Sequence, residues 1–397
     1  MGMEFRPYYM AREWIKLGHK VVIIAGDYSH LRMENHRVKK DFTEEKIDEI
    51  IYCWIKAGAY KGNGIKRALT MGCFVAKILN KAKWIVDKYQ PQIIITSSTY
   101  PLDTYAGQKV KKIMKKKYGM GTLIHEIHDM WPITPMELRG MSKYNPFIVI
   151  MQMAENSFCR NSDKIVSLLP AAKEYLVDHG MSPQKFYTIP NGVVLEEWDT
   201  KAELPELHQN LINKWKNEHK FIICFFGSHT KSYALSYLID AIKEIKNENV
   251  GAIFVGDGMD KSKLMKYAEG WENQIQFLPS IKKNCIPNLL KNIDSIYIGA
   301  VNNRMLRFGI CMNKLFDAMM SGKPILYAVD APNNYIKEFK CGVSVIPENV
   351  EDLANGIKKL LEMNEIDRKK MGMRGRKAVV ENFNYYILAL RFLEIAK

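Results

Sequence analysis

The sequence predicts an α/β protein built from two Rossmann-like domains that face a central cleft. A chain of 397 residues is longer than one ordinary core supports and suits two domains of about 200 residues each. Short β-branched runs alternate with longer amphipathic stretches, the pattern of successive βαβ units around a parallel sheet. A polar stretch that ends near Pro205 separates the two halves. We therefore predict domains at residues 1–195 and 196–380, and a C-terminal helix at 381–397 that packs back on the N-terminal domain.

In the first domain, β-branched runs predict strands at residues 20–25, 92–96, 122–127 and 164–168. Helices are expected to fill the intervals. The first helix covers residues 7–17, because Pro7 suits a first helical turn and Gly18 suits a left-handed stop. A short strand and a Pro-Asn-Gly turn at residues 187–193 end this half.

A Rossmann-like domain normally opens with a buried strand and a glycine-bearing turn, whereas this sequence opens almost directly with a helix. The first β-strand of the N-terminal domain is therefore expected to be missing. Either the true start lies upstream, or the sheet begins with a strand that other such domains count as their second.

In the second domain, the predicted strands follow one another at similar intervals. They cover residues 221–226, 251–255, 275–278, 295–298, 324–328 and 342–345. After Asp367 the sequence predicts helix to its end, broken near residues 382–384.

Composition narrows the class of protein. Apolar residues make up 47% and charged residues 25% of the chain, which is typical of a folded globular protein. No run approaches the roughly 18 apolar residues that span a bilayer, and the opening seven residues lack the apolar centre of a secretory signal. The seven cysteines are scattered without a Cys-x-x-Cys pair, so they predict reduced thiols rather than a metal site. We expect a cytoplasmic protein.

A formal net charge of +15 predicts an anionic partner, and nucleotide phosphates, acidic lipid and nucleic acid all remain open. The densest basic run falls on a predicted helix, where a solvated face is the simpler interpretation. Docking on an anionic leaflet is the alternative, since each lysine near such a surface contributes about 1 kcal/mol. The run consists of Lys109, Lys111, Lys112, Lys115, Lys116 and Lys117.

Open parallel sheets bind ligands beyond the carboxyl ends of their strands. After the strand at 221–226, Gly227 allows close backbone approach, a helix start offers free N–H groups, and Lys231 adds charge, so this loop suits a diphosphate. A plain β-α turn is the alternative. The next strand leads to Gly256-Asp257-Gly258, which lacks the last glycine of a dinucleotide fingerprint because Lys261 stands there. A tight turn is the favoured interpretation of these glycines.

The most informative stretch is Asn313-Lys314-Leu315-Phe316-Asp317. Asn313 is expected to cap a helix with Lys314 in its first turn and Asp317 in its second, and Gly322 ends the helix. A phosphate favours such a helix start, while a carboxylate one turn later can accept two hydrogen bonds from a ribose diol. The alternative makes Asp317 the partner of a nearby lysine.

This string resembles the donor-site signature of retaining GT-B glycosyltransferases of family 4, in which Lys-Leu opens a helix that carries an acidic residue and ends in Gly-Lys-Pro. The order of several further strings resembles bacterial enzymes of surface-polysaccharide assembly, including candidate N-acetylfucosamine transferases. These strings are Pro7-Tyr8-Tyr9-Met10-Ala11-Arg12-Glu13-Trp14, Ser29-His30-Leu31-Arg32, Ser97-Ser98-Thr99-Tyr100-Pro101, His128-Asp129-Met130-Trp131-Pro132 and Ile189-Pro190-Asn191-Gly192.

The resemblance implies an acceptor-side N-terminal domain and a C-terminal domain that binds the nucleotide sugar. It places Asp317 at the ribose, and His128 against the transferred sugar or the acceptor. The other donor-binding residues are Asn313, Lys314 and Lys231 near the diphosphate, Gly227 beneath it, Leu278 near the base, and Arg307 and Leu315 close by. The chain departs from the family where Asp317 replaces the second of two glutamates and where Cys311-Met312 replaces Ser-Pro.

The sequence contains no Asp-x-Asp, so we expect a metal-independent reaction in which lysines and helix N-termini meet the leaving-group charge. The resemblance implies retention and a UDP-sugar as co-substrate, with no other cofactor. No carboxylate is evident as a nucleophile, so a front-face route is favoured and His128 orients the substrate. The expected acceptor is a saccharide or a polyprenyl-diphosphate-linked saccharide at the inner face of the plasma membrane.

Two other classes remain open. A GT-B nucleotide-sugar epimerase shares the two-domain architecture and would convert the donor without an acceptor. A non-catalytic basic protein that binds membrane or nucleic acid would explain the charge, although not the helix at residues 313–317, and the sequence contains no recognised nucleic-acid module.

Overall fold

The computed structural model describes residues 6–29, 32, 35–60, 62, 64–199 and 202–397. His30 and Leu31, which belong to one of the family-like strings, lie outside the described residues. The chain divides into two compact units. The first unit is Met1–Pro190 with Tyr385–Lys397, and the second unit is Asn191–Asn384.

Helices and strands alternate along most of both units. The strands are β1 (Val22–Gly26), β2 (Thr43–Ile47), β3 (Ile50–Ile55), β4 (Ile93–Thr96), β5 (Thr122–Ile127), β6 (Lys164–Ser167), β7 (Phe186–Thr188), β8 (Phe221–Phe226), β9 (Val250–Val255), β10 (Ile275–Leu278), β11 (Ser295–Gly299), β12 (Ile325–Ala328) and β13 (Gly342–Ser344). The helices are α1 (Arg6–Lys16), α2 (Ile65–Tyr89), α3 (Thr104–Tyr118), α4 (Ile133–Arg139), α5 (Pro146–Asn161), α6 (Lys173–Asp178), α7 (Glu206–Asn217), α8 (Leu235–Ile245), α9 (Lys261–Tyr267), α10 (Ile286–Lys291), α11 (Asn313–Met320), α12 (Tyr335–Glu338), α13 (Val350–Glu362), α14 (Glu365–Asn382) and α15 (Tyr385–Ala396).

The first unit contains two sheets. Four parallel strands lie in the order β4-β5-β6-β7, and a separate sheet has the order β1-β3-β2, in which β2 is antiparallel. Strands β1 and β4 each pair on one side only. Ile24 of β1 and Ile94 of β4 pack against one apolar cluster on α2 and α3, so these helices cover both sheets.

The hairpin of β2 and β3 corrects the sequence analysis, which expected helix in this interval. Residues Asp48 and Glu49 form its turn with φ values of 47° and 66°. Such left-handed turns usually carry asparagine or glycine, so the sequence lacks the usual hairpin signal here. The apolar run Ile50–Ile55, of which all but one residue is buried, was the available clue.

The C-terminal helix α15 packs against α1 within the first unit. The indole N–H of Trp14 donates to the carbonyl oxygen of Ala389 over 3.2 Å, and the rings of Tyr9 and Tyr385 lie 5.0 Å apart. Helices α1 and α15 therefore pack in the same unit, although they lie at opposite ends of the sequence.

The second unit is a six-stranded parallel sheet in the order β10-β9-β8-β11-β12-β13. Strands β8, β9, β11 and β12 are buried along their whole length, because helices cover both faces. The strand order reverses between β8 and β11. The loops that follow these two strands therefore flank the position where open α/β sheets bind their ligands.

Candidate functional site

Two glycines hold the loops after β8 and β9 against each other. Gly227 has φ +128° and Gly256 has φ +146°, values that favour glycine. A Cβ atom on Gly256 would lie 1.9 Å from the carbonyl oxygen of Gly227, and a Cβ on Gly258 would lie 2.4 Å from that of His229. The tight-turn interpretation of Gly256 and Gly258 is therefore incomplete, because both glycines also permit close packing of one loop on the other.

The ammonium group of Lys314 lies over Gly227. A Cβ on Gly227 would be 2.7 Å from Nζ of Lys314. This Nζ lies 3.4 Å from the ring centroid of Tyr233 and 4.3 Å from that of Phe225, and it is buried without a hydrogen-bond partner. Two residues that the sequence analysis assigned to the diphosphate are thus in contact, and aromatic faces hold the cation.

Burial lowers the pKa of Lys314 to about 7, because desolvation disfavours the charged form. The side chain belongs to the first turn of α11, where the helix dipole also presents positive charge. A phosphate group at this position could accept hydrogen bonds from the ammonium group of Lys314, which has no other acceptor among the described residues. The arrangement is therefore suited to binding an anion.

The start of α11 differs in one respect from the prediction. Asn313 is the first helical residue rather than the cap, Met312 occupies the N-cap position, and no side chain caps the helix. The backbone N–H groups of this turn therefore donate to no capping side chain. Asn313 and Lys231 are both exposed, and the backbone N–H of Lys231 donates to Asp260 over 2.7 Å.

Asp317 lies one turn beyond Lys314 and is half-buried. Burial raises its pKa to about 6, although the charge of Lys283 opposes the rise and the indole N–H of Trp198 donates to the carboxylate. Lys283 itself pairs with Glu197 over 2.7 Å. The carboxylate therefore has one hydrogen-bond donor from the protein and retains further acceptor capacity.

Three other predicted donor-binding residues occupy different environments. Leu315 is 1% exposed and Leu278 is 3% exposed, and both side chains belong to the core of the second unit. The carbonyl oxygen of Leu278 accepts hydrogen bonds from Gly256 and from the side chain of Lys261. Arg307 is exposed and donates to the carbonyl oxygen of Arg304 over 2.6 Å. The two leucines thus support the site through packing, and their side chains do not line it.

His128 belongs to the first unit, directly after β5. Its Nε2 lies 2.8 Å from Oγ of Ser97 and 3.1 Å from Oε2 of Glu126, and the Ser97 hydroxyl also donates to Glu126. Burial alone would raise the pKa of Glu126, but the charge of Arg6 and the bonds from His128 and Ser97 hold it well below its usual range. An ionised carboxylate only accepts, so Nε2 of His128 carries a hydrogen, and Nδ1 has the lone pair whenever the ring is neutral.

Arg6 connects this group to the end of the first unit. Its Nε donates to Glu126 over 3.0 Å in a fully buried ion pair. The two Nη atoms donate to the carbonyl oxygens of Pro190 over 2.6 Å and Ile189 over 3.0 Å. One arginine therefore satisfies both the carboxylate that orients His128 and the backbone at the boundary between the units.

In the described part of the chain, no three His, Cys, Asp or Glu side chains lie close enough together to hold a metal ion. None of the helices described there is both long and apolar enough to cross a membrane.

Both halves of the chain match families of glycosyltransferases. Residues 2–197 match the family described as Glycosyltransferase Family 4, and residues 209–378 match the family described as Glycosyl transferases group 1. The two matches together cover nearly the whole chain. The chain belongs to the family 4 glycosyltransferases. This membership confirms the family that the string at residues 313–317 indicated.

Relatives of this glycosyltransferase include a candidate colanic acid biosynthesis glycosyl transferase, WcaI, from Escherichia coli strain K12. The two are 22% identical over 88% of this chain and 86% of WcaI. Among solved structures, Alr3699/HepE of Anabaena in complex with UDP and glucose has a TM-score of 0.62 at 17% identity, over 87% of this chain and 86% of that one. A glycosyltransferase from Rickettsia africae ESF-5 has a TM-score of 0.69 at 18% identity, over 98% and 93% of the two chains. These likenesses confirm the predicted GT-B fold.

Two residues of the glycosyltransferase that position His128 were not predicted from the sequence, namely Glu126, which bonds to it, and Arg6, which pairs with Glu126. Glu126 is a carboxylate in a largely buried strand that also carries His125, which is a detectable signal, because a buried carboxylate requires partners. Arg6 lies 120 positions away in the sequence, so no local pattern connects it to Glu126. Ser97 was part of a family-like string, but its bond to His128 depends on the pairing of β4 with β5.

Proposed function

We propose that this glycosyltransferase binds the diphosphate of a nucleoside-diphosphate sugar beside Gly227 and Lys314, at the start of α11. The observation that carries the proposal is the buried Lys314 ammonium, which has no hydrogen-bond partner and lies over a glycine at the switch point of the sheet. A lysine in this environment costs stability unless an anion uses it. The uncapped start of α11 adds N–H groups at the same end of the helix.

The nucleotide in this proposal is uridine diphosphate, and Asp317 binds the ribose diol. Alr3699/HepE, which shares the fold, was solved with UDP and glucose. Asp317 is one helical turn from Lys314 and keeps acceptor capacity beyond its bond with Trp198. The donor sugar is a hexose or an N-acetylated deoxyhexosamine, and GDP and TDP sugars are the competing donors.

The proposed reaction retains the configuration of the anomeric carbon and uses no metal ion. The bond from the anomeric carbon to the diphosphate oxygen breaks while the acceptor oxygen bonds to the same face. The acceptor proton passes to the departing diphosphate, which leaves as UDP. Lys314 and the N-terminus of α11 stabilise the negative charge on that group. Lys231 and Arg307 are exposed cations of the same unit that we assign to the phosphates as well.

His128 positions the reacting sugar or the acceptor in this scheme. Because Glu126 engages Nε2, Nδ1 is the ring atom that is left to accept a hydrogen bond from a sugar hydroxyl. A nucleophilic role is not required. We expect the variant His128→Ala to lower turnover more than donor affinity.

The proposed acceptor is a saccharide or a polyprenyl-diphosphate-linked saccharide in surface-polysaccharide assembly, used at the inner face of the plasma membrane. The WcaI relative, named for colanic acid biosynthesis, supports this class of acceptor. The net charge of +15 is consistent with substrates that carry diphosphates.

The test of the donor site compares UDP with 2′-deoxy-UDP by calorimetric titration. A ribose hydroxyl bonded to a carboxylate contributes about 1.5 to 3 kcal/mol, so the unaltered enzyme should prefer UDP by at least about tenfold. Asp317→Ala should remove this preference, whereas Asp240→Ala, which changes a half-buried helical carboxylate of the same unit, should keep it. Equal affinity of the unaltered enzyme for the two nucleotides would rule out the ribose role.

The test of the reaction is a donor screen scored by release of nucleoside diphosphate, followed by nuclear magnetic resonance of the product. An α-linked donor should give an α-linked product, and excess chelator should leave the rate unchanged. His128→Ala should lower kcat with unchanged UDP affinity, and the exposed His19→Ala should change neither. A reaction that requires manganese, or an inverted product, would refute the proposed mechanism. Conversion of the donor without acceptor would favour an epimerase, and failure to bind any nucleotide would favour a non-catalytic protein.

A further inference from the structure

The two residues that precede the N-cap of α11 are each held by the side chain of an asparagine. Oδ1 of Asn333 accepts from the N–H of Ile310 over 2.8 Å, and its Nδ2 donates to the carbonyl oxygen of the same residue over 2.7 Å. Nδ2 of Asn191 donates to the carbonyl oxygen of Cys311 over 3.0 Å. We call Asn191 and Asn333 the two clamp residues.

The backbone of Asn191 is itself fixed from two sides. Its N–H donates to Sγ of Cys311 over 3.0 Å. The carbonyl oxygen of the same peptide group belongs to Pro190 and accepts from the buried guanidinium of Arg6 over 2.6 Å. Because a peptide group is planar, bonds at both of its polar ends leave it little freedom to rotate. Asn191 is therefore a fixed point from which its side chain can hold Cys311.

The clamp residues bond to the chain before α11, whereas other asparagines of the same unit cap their helices. Asn334, Asn349 and Asn364 accept hydrogen bonds from backbone N–H groups in the first turns of α12, α13 and α14. Such a cap fixes a helix start, but it uses donors that could otherwise bind an anion. The clamps fix the start of α11 in another way, and no side chain of the described residues caps its first turn.

Stability alone does not account for the side chain of Asn191. The residue is 7% exposed, and in the part of the chain that the structure describes its Oδ1 is buried without a hydrogen-bond partner. A buried acceptor that is left unpaired costs stability. A clamp on Cys311 needs only the Nδ2 donor, so this role explains an asparagine whose other polar atom is unpaired.

We propose that Asn191 and Asn333 are positioning residues for the donor diphosphate. Lys314 follows Cys311 by three positions, so a shift of the clamped segment would move the Lys314 ammonium and the first-turn N–H groups of α11 together. The clamps hold these donors in one place without using them, as a supporting shell does for a binding site. This role rests on the proposed function, because it assumes that the diphosphate binds beside Lys314.

The first test compares the binding of UDP with that of uridine, which has no phosphate, by nuclear magnetic resonance titration. Asn191→Ala and Asn333→Ala should each raise the Kd for UDP by at least about fivefold, since small displacements of positioned groups are costly. The Kd for uridine should change by less than about twofold. The matched control is Asn334→Ala, which removes bonds with Lys337 and Ser344 from the neighbouring asparagine and should bind both compounds as the unaltered enzyme does.

A second measurement needs no nucleotide. Cys311 is half-buried, and Cys73 of the first unit is exposed, so alkylation of the folded chain followed by mass spectrometry compares the two thiols in one sample. Both clamp variants should label Cys311 at least about threefold faster relative to Cys73, because a released segment opens more often. Asn334→Ala should leave the ratio unchanged.

Three results would overturn the proposal. Both clamp variants could bind UDP as tightly as the unaltered enzyme does. The affinities for UDP and uridine could fall by the same factor, which would make the asparagines general supports of the unit. Labelling of Cys311 could stay unchanged in both variants, which would show that they do not hold the segment. Failure of the proposed function is distinct from these results, because the unaltered enzyme would then bind no UDP or Lys314→Met would bind it with unchanged affinity.

Discussion

Replacing Lys314 by methionine should stabilise the free enzyme while it weakens nucleotide binding. A pKa of about 7 against an ordinary value of 10.5 corresponds to about 5 kcal/mol against the charged form. This shift is the net effect of the whole site, so it already includes any attraction to the rings of Tyr233 and Phe225. Methionine fills a similar volume without charge, so we expect a gain of at least about 2 kcal/mol at neutral pH, with about 5 kcal/mol as the upper bound.

The pH dependence of the unfolding free energy shows whether the buried charge of Lys314 causes the difference in stability. Between about pH 7 and pH 10 the unfolded lysine binds a proton that the folded one has released, so the stability of the unaltered enzyme rises with pH through this window. Lys314→Met lacks this contribution. The advantage of the variant should therefore be largest below pH 7 and should disappear near pH 10.

Urea unfolding of the second unit, followed by tryptophan fluorescence at several pH values, measures this difference. The matched control is Lys231→Met, which removes an exposed lysine from the loop after β8 and should change stability by less than about 0.5 kcal/mol. With saturating UDP the unaltered enzyme should be more stable than Lys314→Met, because the bound nucleotide stabilises only the enzyme that retains Lys314. A destabilised variant at pH 6, or an advantage that is the same at every pH, would contradict the reasoning.

Three further predictions concern other parts of the molecule. Binding of UDP near pH 8 should take up close to one proton, since phosphate oxygens raise the pKa of Lys314 from about 7. Calorimetric titration in buffers of different ionisation enthalpy measures this proton uptake. The uptake should be absent in Lys314→Met. Gly256→Ala should lower the free energy of unfolding in urea by about 3 kcal/mol or more, because its Cβ meets a carbonyl oxygen. Gly270→Ala, where φ is +84° and nothing lies within 4 Å, should lower it by about 1 kcal/mol. Equal losses would show that φ alone matters. Glu126→Gln should cost about 3 to 5 kcal/mol at pH 7, because it leaves a buried arginine without its counter-charge. Glu155→Gln should cost less than about 1 kcal/mol, since burial raises the pKa of that acid to about 8, and a larger loss for Glu155→Gln than for Glu126→Gln would contradict the assigned charges.

Local pattern was sufficient for most elements of the fold. The predicted strands at 122–127, 221–226 and 275–278 match β5, β8 and β10 at both ends, because each is a short run rich in β-branched or aromatic residues between polar turns. The helix after Asp367 and its break near residue 383 also appear, as α14 and α15. The hairpin of β2 and β3 was missed because its turn residues, Asp48 and Glu49, adopt a conformation that their side chains disfavour.

The candidate site was only partly accessible to sequence reasoning. The family signature assigned Lys314 and Gly227 to one phosphate, and the structure brings the two into contact. It could not show that Leu315 and Leu278 face the core, because periodicity does not say which apolar residues line a ligand. It also gave no reason to connect Arg6 with Glu126, since an ion pair between distant segments leaves no local trace.

The family and most of the order of elements were determined by the sequence alone, since both depend on residues that are neighbours along the chain, and the donor-site role of the helix at 313–320 stays a prediction from the same kind of pattern. The tertiary structure decided how the site is charged. Burial beneath aromatic rings, rather than residue type, brings the pKa of Lys314 to about 7, and a buried arginine, rather than any neighbour in β5, keeps Glu126 ionised. Desolvation and pairing between distant segments arise only when the chain has folded, and these two effects determine which groups can bind an anion.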